Sequence, residues 1–184
     1  YGESEYKTKV GPNTYLMKDK YIFVYQDVRG RYMSEGTFTN MTPQVERKTK
    51  KDVDESTDTY DTIEWLLKNV KDNNGKVGQF GTSYPGFYTA VGTLSQHPAL
   101  VASSPQAPIS DFWNDDFLHN GRFMLGYFRT FPVFGVQKTQ PEKQAWYMDS
   151  FIKQTSEDGL KFYRDMGTLK DGYEKYYKNN FFMT

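Results

Sequence analysis

With 184 residues the chain is long enough to bury one core, and its 23 lysines and arginines balance 23 aspartates and glutamates. A net charge of zero gives no electrostatic case for binding nucleic acid or an anionic membrane. Cysteine is absent, which excludes disulfides and thiolate metal sites, and no apolar run approaches the roughly 20 residues that span a bilayer.

The first predicted element is a strand over residues 21–28. This run leans apolar without interruption and ends in a glycine-containing loop, a pattern typical of a buried strand in a parallel sheet. Residues 37–53 are charged and polar and predict a solvated loop. The stretch at 46–51 is rich in lysine and arginine, so a basic binding patch is the alternative there.

A helix, a strand, a second helix and a second strand follow in order. Acidic residues at 54–61 precede apolar positions with helical spacing, which are Ile63, Trp65, Leu66, Leu67 and Val70. Residues 76–81 predict a strand. The segment after Ser83 predicts a helix that His97 closes, and residues 100–104 predict the next strand. This alternation indicates an α/β fold with a right-handed parallel sheet.

The turn between that strand and helix carries a serine between glycines. Ser83 there looks like the nucleophile of a strand–turn–helix elbow, whose strained backbone lifts the hydroxyl towards the N–H groups of a helix N-terminus. The usual Gly-x-Ser-x-Gly spacing is not met, because Gly81 and Gly86 enclose one residue more. A plain turn rich in glycine and proline is the alternative, although Pro85 suits the first turn of a helix.

Beyond Asp111 the alternation ends. Residues 115–135, 140–166 and 171–182 predict helices or irregular aromatic segments without clear strands. The chain holds 15 Tyr, 14 Phe and 3 Trp, mostly in this part, and they favour a helix-packing surface over the alternative of an aromatic-lined acyl pocket. The sequence therefore predicts a core over residues 1–110 and a mainly helical region over residues 111–184.

Three motifs occur in an order known from one enzyme family. They are a Gln-Asp-x-Arg-Gly-Arg-x-x-Ser-Glu-Gly loop at residues 26–36, the longer Gly-x-Ser-Tyr-x-Gly elbow, and residues 104–108 with the acidic stretch 111–116. They resemble the branch of the α/β-hydrolases that holds X-prolyl dipeptidyl-peptidases, cocaine esterase, α-amino-acid ester hydrolases and glutaryl cephalosporin acylases. The resemblance covers residues 1–135. It implies a partial α/β-hydrolase core, a parallel sheet flanked by helices, with a helical cap inserted over 111–184.

The resemblance also implies roles for individual residues. Ser83 is the implied nucleophile, and the backbone N–H of Tyr84 is the implied first donor to the oxyanion. The hydroxyl of Tyr1 is the candidate second donor, with an ordinary tyrosine as the alternative. Asp116, together with Asp115, resembles the carboxylates by which amino-acid ester hydrolases select an α-amino acyl group. A solvated acid pair at the start of a helix is the alternative for these two residues.

Neither histidine fits the general base that a serine nucleophile needs. His97 is predicted on the same helix as Ser83, at a distance of about 20 Å. His119 stands in the cap region, whereas the family places its catalytic Asp and His later in the chain, so a polar pocket-lining role is favoured for it. The resemblance implies that the catalytic Asp and His lie beyond residue 184, and the chain alone is expected to be inactive.

Three charged residues near the first strand could be mistaken for catalytic groups. Asp27 and Arg29 stand at the predicted carboxyl end of that strand. We favour a structural role for them, since such a pair can tie the loop beside the elbow with charge-assisted hydrogen bonds. Glu35 receives the same interpretation.

The predicted function is that of a serine acyl hydrolase, which cleaves esters or amides of α-amino acyl substrates through a covalent acyl-enzyme. An X-prolyl dipeptidyl-peptidase and a non-catalytic binding module of the same fold are the alternatives. No metal or cofactor is implied, because histidines and carboxylates lack ligand spacing. The expected partner is a small ester, an amide or a short peptide. No signal peptide is visible, and the resemblance favours a bacterial periplasmic or secreted protein and a homo-oligomer.

Overall fold

The structure is a computed structural model, and it describes residues 11, 13–46, 49, 51–111, 113–116, 118–126 and 159–176. The chain divides into two compact units. We call Met41–Phe123 the elbow unit, because it contains Ser83, and we call Tyr1–Asn40 with Met124–Thr184 the split unit.

Helix α2 of the elbow unit, Glu55–Asn69, begins at a capping box where the sequence places an acidic run. The Asp54 carboxylate accepts from the backbone N–H of Thr57, and the Thr57 hydroxyl accepts from the N–H of Asp54. Asp54 and Glu55 are both buried. Their carboxylates also accept from backbone N–H groups of the preceding loop, at Val45 and Thr42. The predicted helix is confirmed, and its first turn anchors the loop that leads into it.

Two parallel strands carry the candidate site. Strand β1, Val77–Thr82, pairs with strand β2, Leu100–Gln106, and helix α3, Tyr84–Thr93, connects them. In the register, Thr82 lies opposite Gln106. The predicted strand–helix–strand order and the α/β class are confirmed. Because the strands are parallel, their carboxyl ends reach the same edge of the sheet, and α3 begins at that edge.

Two glycines allow the first turn of α3 to fold tightly over the strand ends. A Cβ atom on Gly81 would lie 2.3 Å from the carbonyl oxygen of Pro85, and one on Gly86 would lie 2.4 Å from the carbonyl oxygen of Gln106. Both distances are far below van der Waals contact. The elbow therefore needs glycine at both positions, because Gly81 is where β1 contacts the first turn of α3 and Gly86 is where α3 contacts the end of β2.

A short hairpin closes the elbow unit. Strands β3, Leu118–His119, and β4, Arg122–Phe123, pair antiparallel. Asn120 and Gly121 join them with φ angles of 52° and 79°, as a two-residue type I′ turn requires. The expectation that residues 115–135 contain no strand is wrong here. An Asn-Gly dipeptide is a strong hairpin signal, and it was present in the sequence.

In the split unit, residues 21–28 were predicted as a buried strand. Within the described part of the chain they belong to no strand ladder, and several of their large side chains are exposed, namely Tyr21, Ile22, Val24 and Tyr25. An apolar run becomes a strand only where a neighbouring strand completes its backbone hydrogen bonds, and composition cannot supply that neighbour. The prediction is therefore wrong for this structure.

The loop that follows is closed by its own side chains. Arg29 donates from Nη1 to the carbonyl oxygen of Thr37 and to the hydroxyl of Thr39, each at 3.2 Å. The hydroxyl of Ser34 donates to the carbonyl oxygen of Asp27 at 2.9 Å. These contacts support the structural role that we favoured for this segment.

The described helices of the split unit are α1, Thr14–Lys18, α4, Gly159–Met166, and α5, Leu169–Tyr176. Helices α4 and α5 overlap the helices predicted at 140–166 and 171–182, and the remainder of those predictions lies outside the described residues. None of the helices in the described ranges is long and apolar enough to cross a membrane.

Helix α5 is capped by a reciprocal pair of side chains. The N–H and the hydroxyl of Thr168 donate to Asp171 Oδ2 at 2.9 and 2.6 Å, and the N–H of Asp171 donates to the Thr168 hydroxyl at 3.2 Å. The hydroxyl bond from Thr168, followed by its backbone bond, lowers the pKa of the Asp171 carboxyl below its ordinary value of 3.8.

We expect Gly86→Ala to destabilise the protein, because the new methyl group would overlap the Gln106 carbonyl. Overpacking of this kind typically costs about 1–3 kcal/mol. Denaturant unfolding of wild type and variant measures the difference. Gly78→Ala is the matched control, since its Cβ would meet Ala102 at an ordinary 3.8 Å. Equal stability of the two variants would contradict the steric argument.

The Asp171 cap predicts an acid-sensitive contribution to stability. A folded-state pKa below the unfolded value means that the ionised carboxylate stabilises the fold above pH 3.8, and this stabilisation is lost as the pH falls through the folded pKa. An NMR titration of the Asp171 carboxyl should give a pKa below 3.8, and Thr168→Ala should raise it. A wild-type pKa at or above that value would disprove the cap's electrostatic role.

Candidate active site

Ser83 occupies the junction between β1 and α3 with an unusual backbone conformation. Its φ is 63° and its ψ is −123°, a region that side-chain-bearing residues seldom adopt. Its N–H donates to the carbonyl oxygen of Gln106 at 2.9 Å, and its own carbonyl accepts from the N–H of Phe87 at 3.0 Å. Strand and helix therefore hold Ser83 from both sides in this conformation.

The side chain of Ser83 is exposed and makes no capping hydrogen bond to the first turn of α3. Serine at a helix N-cap ordinarily turns its oxygen towards the N–H groups of that turn. Here the positive φ of Ser83 turns its side chain away from the usual capping position, so the hydroxyl remains at the strand-to-helix turn. This is the geometry that an elbow nucleophile needs.

The N-terminus of α3 can stabilise a negative charge beside that hydroxyl. Tyr84 is its first residue and Pro85 its second. The N–H groups of a first turn point outwards along the helix axis, and the helix dipole places partial positive charge there. An anionic oxygen formed next to Ser83 would meet the backbone of Tyr84.

Gln106 belongs to the 104–108 motif, to which the sequence assigned no individual role, and it supports the elbow from β2. Besides the backbone bond to Ser83, its side-chain Oε1 accepts from the hydroxyl of Thr82 at 3.0 Å. The strand register places Gln106 opposite Thr82, one residue before the serine. No local pattern in the sequence reveals this pairing, because the two residues belong to different strands.

His97 is held in the fold by contacts of both ring nitrogens. Its Nε2 lies 2.8 Å from Glu64 Oε1, and its Nδ1 accepts from the N–H of Ala99 at 3.0 Å. Since Nδ1 accepts, the proton belongs on Nε2, which donates to Glu64. The ring is buried and packs on Tyr60, with 4.5 Å between ring centroids. Both nitrogens are engaged, so His97 serves a structural role.

The placement of His97 also corrects the predicted helix length. Helix α3 ends at Thr93 with Leu94 as its C-cap, so His97 lies in the turn before β2 and not on the helix of Ser83. Gln96, with a φ of 52°, breaks the helical path. His119 lies exposed on β3 of the hairpin.

Asp115 and Asp116 lie on a turn between β2 and the hairpin. The turn is shaped by Asp111, whose carboxylate accepts from the N–H of Trp113 and from the side-chain amide of Asn114. Asp116 has a φ of 50°, and its N–H donates to Asp115 Oδ1 at 2.8 Å. Neither acid begins a helix, so the alternative of a helix-start pair does not describe them.

The acid pair differs in exposure. Asp115 is exposed and Asp116 is half-buried. Across the described ranges, no group of three or more His, Cys, Asp or Glu residues could hold a metal ion. Tyr1, the candidate second oxyanion donor, lies outside the described residues.

Comparisons with known proteins identify relatives of the chain. Among solved structures, a selenomethionine-labelled α-amino acid ester hydrolase is 34% identical with a TM-score of 0.71, covering 87% of this chain and 25% of that one. An aminopeptidase from a marine sediment Thaumarchaeota archaeon is 33% identical with a TM-score of 0.59, covering 86% and 27%. The α/β-hydrolase class predicted from the sequence is confirmed by these neighbours.

Comparison of sequences also identifies a relative and a family. The cocaine esterase of Rhodococcus sp. (strain MB1 Bresler) is 33% identical over 98 residues, which are 53% of this chain and 15% of that protein. The chain thus spans about a quarter or less of the length of these relatives. The sequence model of the X-Pro dipeptidyl-peptidase family (S15) matches residues 1–179. The chain therefore belongs to the X-Pro dipeptidyl-peptidase (S15) family.

Proposed function

We propose that the chain carries the nucleophile and part of the oxyanion hole of a serine acyl hydrolase. The observation that carries the proposal is the backbone of Ser83, an exposed residue that turns at a positive φ between a parallel strand and a helix. Membership of a family that includes peptidases and esterases supports the same reaction type.

In the proposed reaction Ser83 Oγ attacks the carbonyl carbon of an ester or amide while a general base takes its proton, and the same base returns that proton to the leaving alcohol or amine. The developing oxyanion is stabilised by the N–H of Tyr84, at the positive end of α3, and by the hydroxyl of Tyr1. The tetrahedral intermediate collapses with loss of the alcohol or amine, which leaves an acyl-enzyme. Water then attacks this acyl-enzyme and releases the acid.

The general base is proposed to come from a histidine outside these 184 residues, oriented by an aspartate that is also outside them. The engaged ring of His97 supports this part of the proposal, since its two nitrogens already bond to Glu64 and to the Ala99 N–H. The chain order of the α/β-hydrolases, in which the acid and the histidine follow the serine, agrees with it.

For the substrate we propose an α-amino acyl group whose ammonium is neutralised by Asp116, assisted by Asp115. The turn that bears both acids is held by the Asp111 carboxylate, so their backbone is fixed before a substrate arrives. The structural neighbours described as an α-amino acid ester hydrolase and an aminopeptidase support a free amino group in the substrate. An X-prolyl dipeptidyl-peptidase remains the second candidate, favoured by the description of the family.

Ser83→Ala in the full-length protein should abolish labelling by a fluorophosphonate and lower kcat by at least about 10⁴-fold, because no other group supplies the attacking oxygen. Mass spectrometry of the labelled peptide identifies the modified residue. Ser104→Ala is the matched control, since Ser104 is an exposed serine of β2 and should label as wild type does. A wild-type protein that resists labelling would instead indicate the non-catalytic binding module.

Asp116→Asn should lower kcat/KM for α-amino acyl esters and leave their N-acylated counterparts unaffected. A hydrogen bond to a charged group contributes about 1.5–3 kcal/mol, which corresponds to a decrease of about tenfold to a hundredfold. Steady-state kinetics with matched ester pairs measures the ratio. If wild type shows no preference for the free amino group, the proposed carboxylate recognition is wrong.

A further inference from the structure

A polar side chain stands between the sheet and the helix that begins at Ser83. Gln79 of β1 is half-buried, and its Nε2 donates to the carbonyl oxygen of Thr89 in α3 and to the hydroxyl of Ser103 in β2, each at 2.9 Å. The same nitrogen lies 3.5 Å from the hydroxyl of Thr93. One amide therefore joins both strands to the helix.

The face of α3 above this amide is made of small residues. Gly86, Thr89 and Gly92 are spaced three apart and are all buried. A Cβ atom on Gly92 would lie 2.7 Å from Gln79 Oε1 and 2.8 Å from the hydroxyl of Thr59 in α2. The absence of side-chain bulk brings the helix close to the sheet. Small side chains on this face of α3 interlock only weakly with the sheet, so packing alone does not fix where the helix lies along the strands. The directional hydrogen bonds of Gln79 set that position.

The helix is thus attached to the sheet at two points. The first is the elbow itself, where Ser83 bonds to Gln106 and Gly86 packs on the Gln106 carbonyl. The second is the bond from Gln79 to Thr89, six residues after Ser83 and about 9 Å further along the helix axis. Together with the packing of α3 on both strands and on α2, these two attachments restrain the tilt of the helix.

We propose that Gln79 is a positioning residue, which acts through α3 to hold the N–H of Tyr84 where the oxyanion forms. This inference rests on the proposed function of Ser83. A donor in an oxyanion hole must stand at hydrogen-bond distance from the oxygen in the transition state, so a small rotation of α3 weakens catalysis without disturbing ground-state binding.

Removal of Gln79 should leave the helix itself intact. The Thr89 carbonyl keeps the hydroxyl of Thr93 as a donor at 3.0 Å, and the Thr89 hydroxyl donates to the Pro85 carbonyl at 2.9 Å. The Gln79 bonds are therefore additional to those within the helix. Their loss removes a restraint on position rather than a bond on which the helix depends.

The test compares Gln79→Leu with Gln44→Leu in the full-length protein. Gln44 also donates to a carbonyl of this helix region, that of Leu94, but it is exposed and its bond is long at 3.5 Å. Active sites are counted by burst titration, so that kcat is expressed per competent site and misfolded protein does not contribute. KM is measured in the same assays.

We expect Gln79→Leu to lower kcat per titrated site by about tenfold with an unchanged KM, since misplacement of a positioned group by about 1 Å can cost a hundredfold. Gln44→Leu should keep the wild-type kcat. A purely structural role would reduce the number of competent sites and leave kcat per site unchanged. That result for Gln79→Leu would overturn the proposal.

Ser103→Ala provides a second variant that keeps the proposal testable even if Gln79→Leu fails to fold. It removes only the bond between Gln79 and β2, and we expect it to lower kcat per site by less than Gln79→Leu does. In the Gln79→Leu background, Ser103→Ala should cause no further fall in kcat, because the bond they share is already lost. An unchanged kcat for Ser103→Ala in the wild-type background would count against the proposal.

Failure of wild type to label at Ser83 overturns the proposed function and this inference together, whereas labelling with no effect of Gln79→Leu overturns this inference alone.

Discussion

The hydrogen bond from the Ser83 N–H to the Gln106 carbonyl holds the candidate site together. A serine at positive φ is strained by about 1–3 kcal/mol, and such a conformation persists only where its surroundings impose it. Here the end of β2 imposes it through a 2.9 Å bond, and the first turn of α3 completes the restraint through the bond from Phe87. The direction of the Ser83 hydroxyl follows from that backbone geometry.

Close packing and directional hydrogen bonds make different contributions to the placement of α3 on the sheet. Glycines at 81, 86 and 92 remove side chains that would collide with backbone or with the Gln79 amide, and so set how near the helix lies. Gln79 and Gln106, which lie on different strands, then set where along the sheet it lies. A helix terminus can stabilise an anion at a defined point only when both the distance and the position are fixed.

Other polar groups described in the elbow unit hold its loops and turns in place. Glu64 and His97 connect α2 to the turn before β2, and Asp54 with Glu55 anchors the loop ahead of α2. By contrast, Asp115 and Asp116 lie on a turn that Asp111 has already stabilised, with one carboxylate exposed and the other half-buried. The proposed recognition of an ammonium group would therefore require little ordering of this turn on binding.

The sequence by itself determined the order of α2, β1, α3 and β2 and the elbow at Ser83, since periodicity, caps and glycine spacing are local signals. The resemblance of its three motifs indicated the family. It failed for residues 21–28, whose apolar character could not supply a neighbouring strand, and it passed over the Asn-Gly turn of the hairpin. Only the tertiary structure decided that His97 bonds to Glu64, that Gln106 holds Ser83 and that Gln79 reaches α3 and β2. These partners are distant in the sequence, or are selected by strand register and helix packing, and no local pattern encodes which of them will meet.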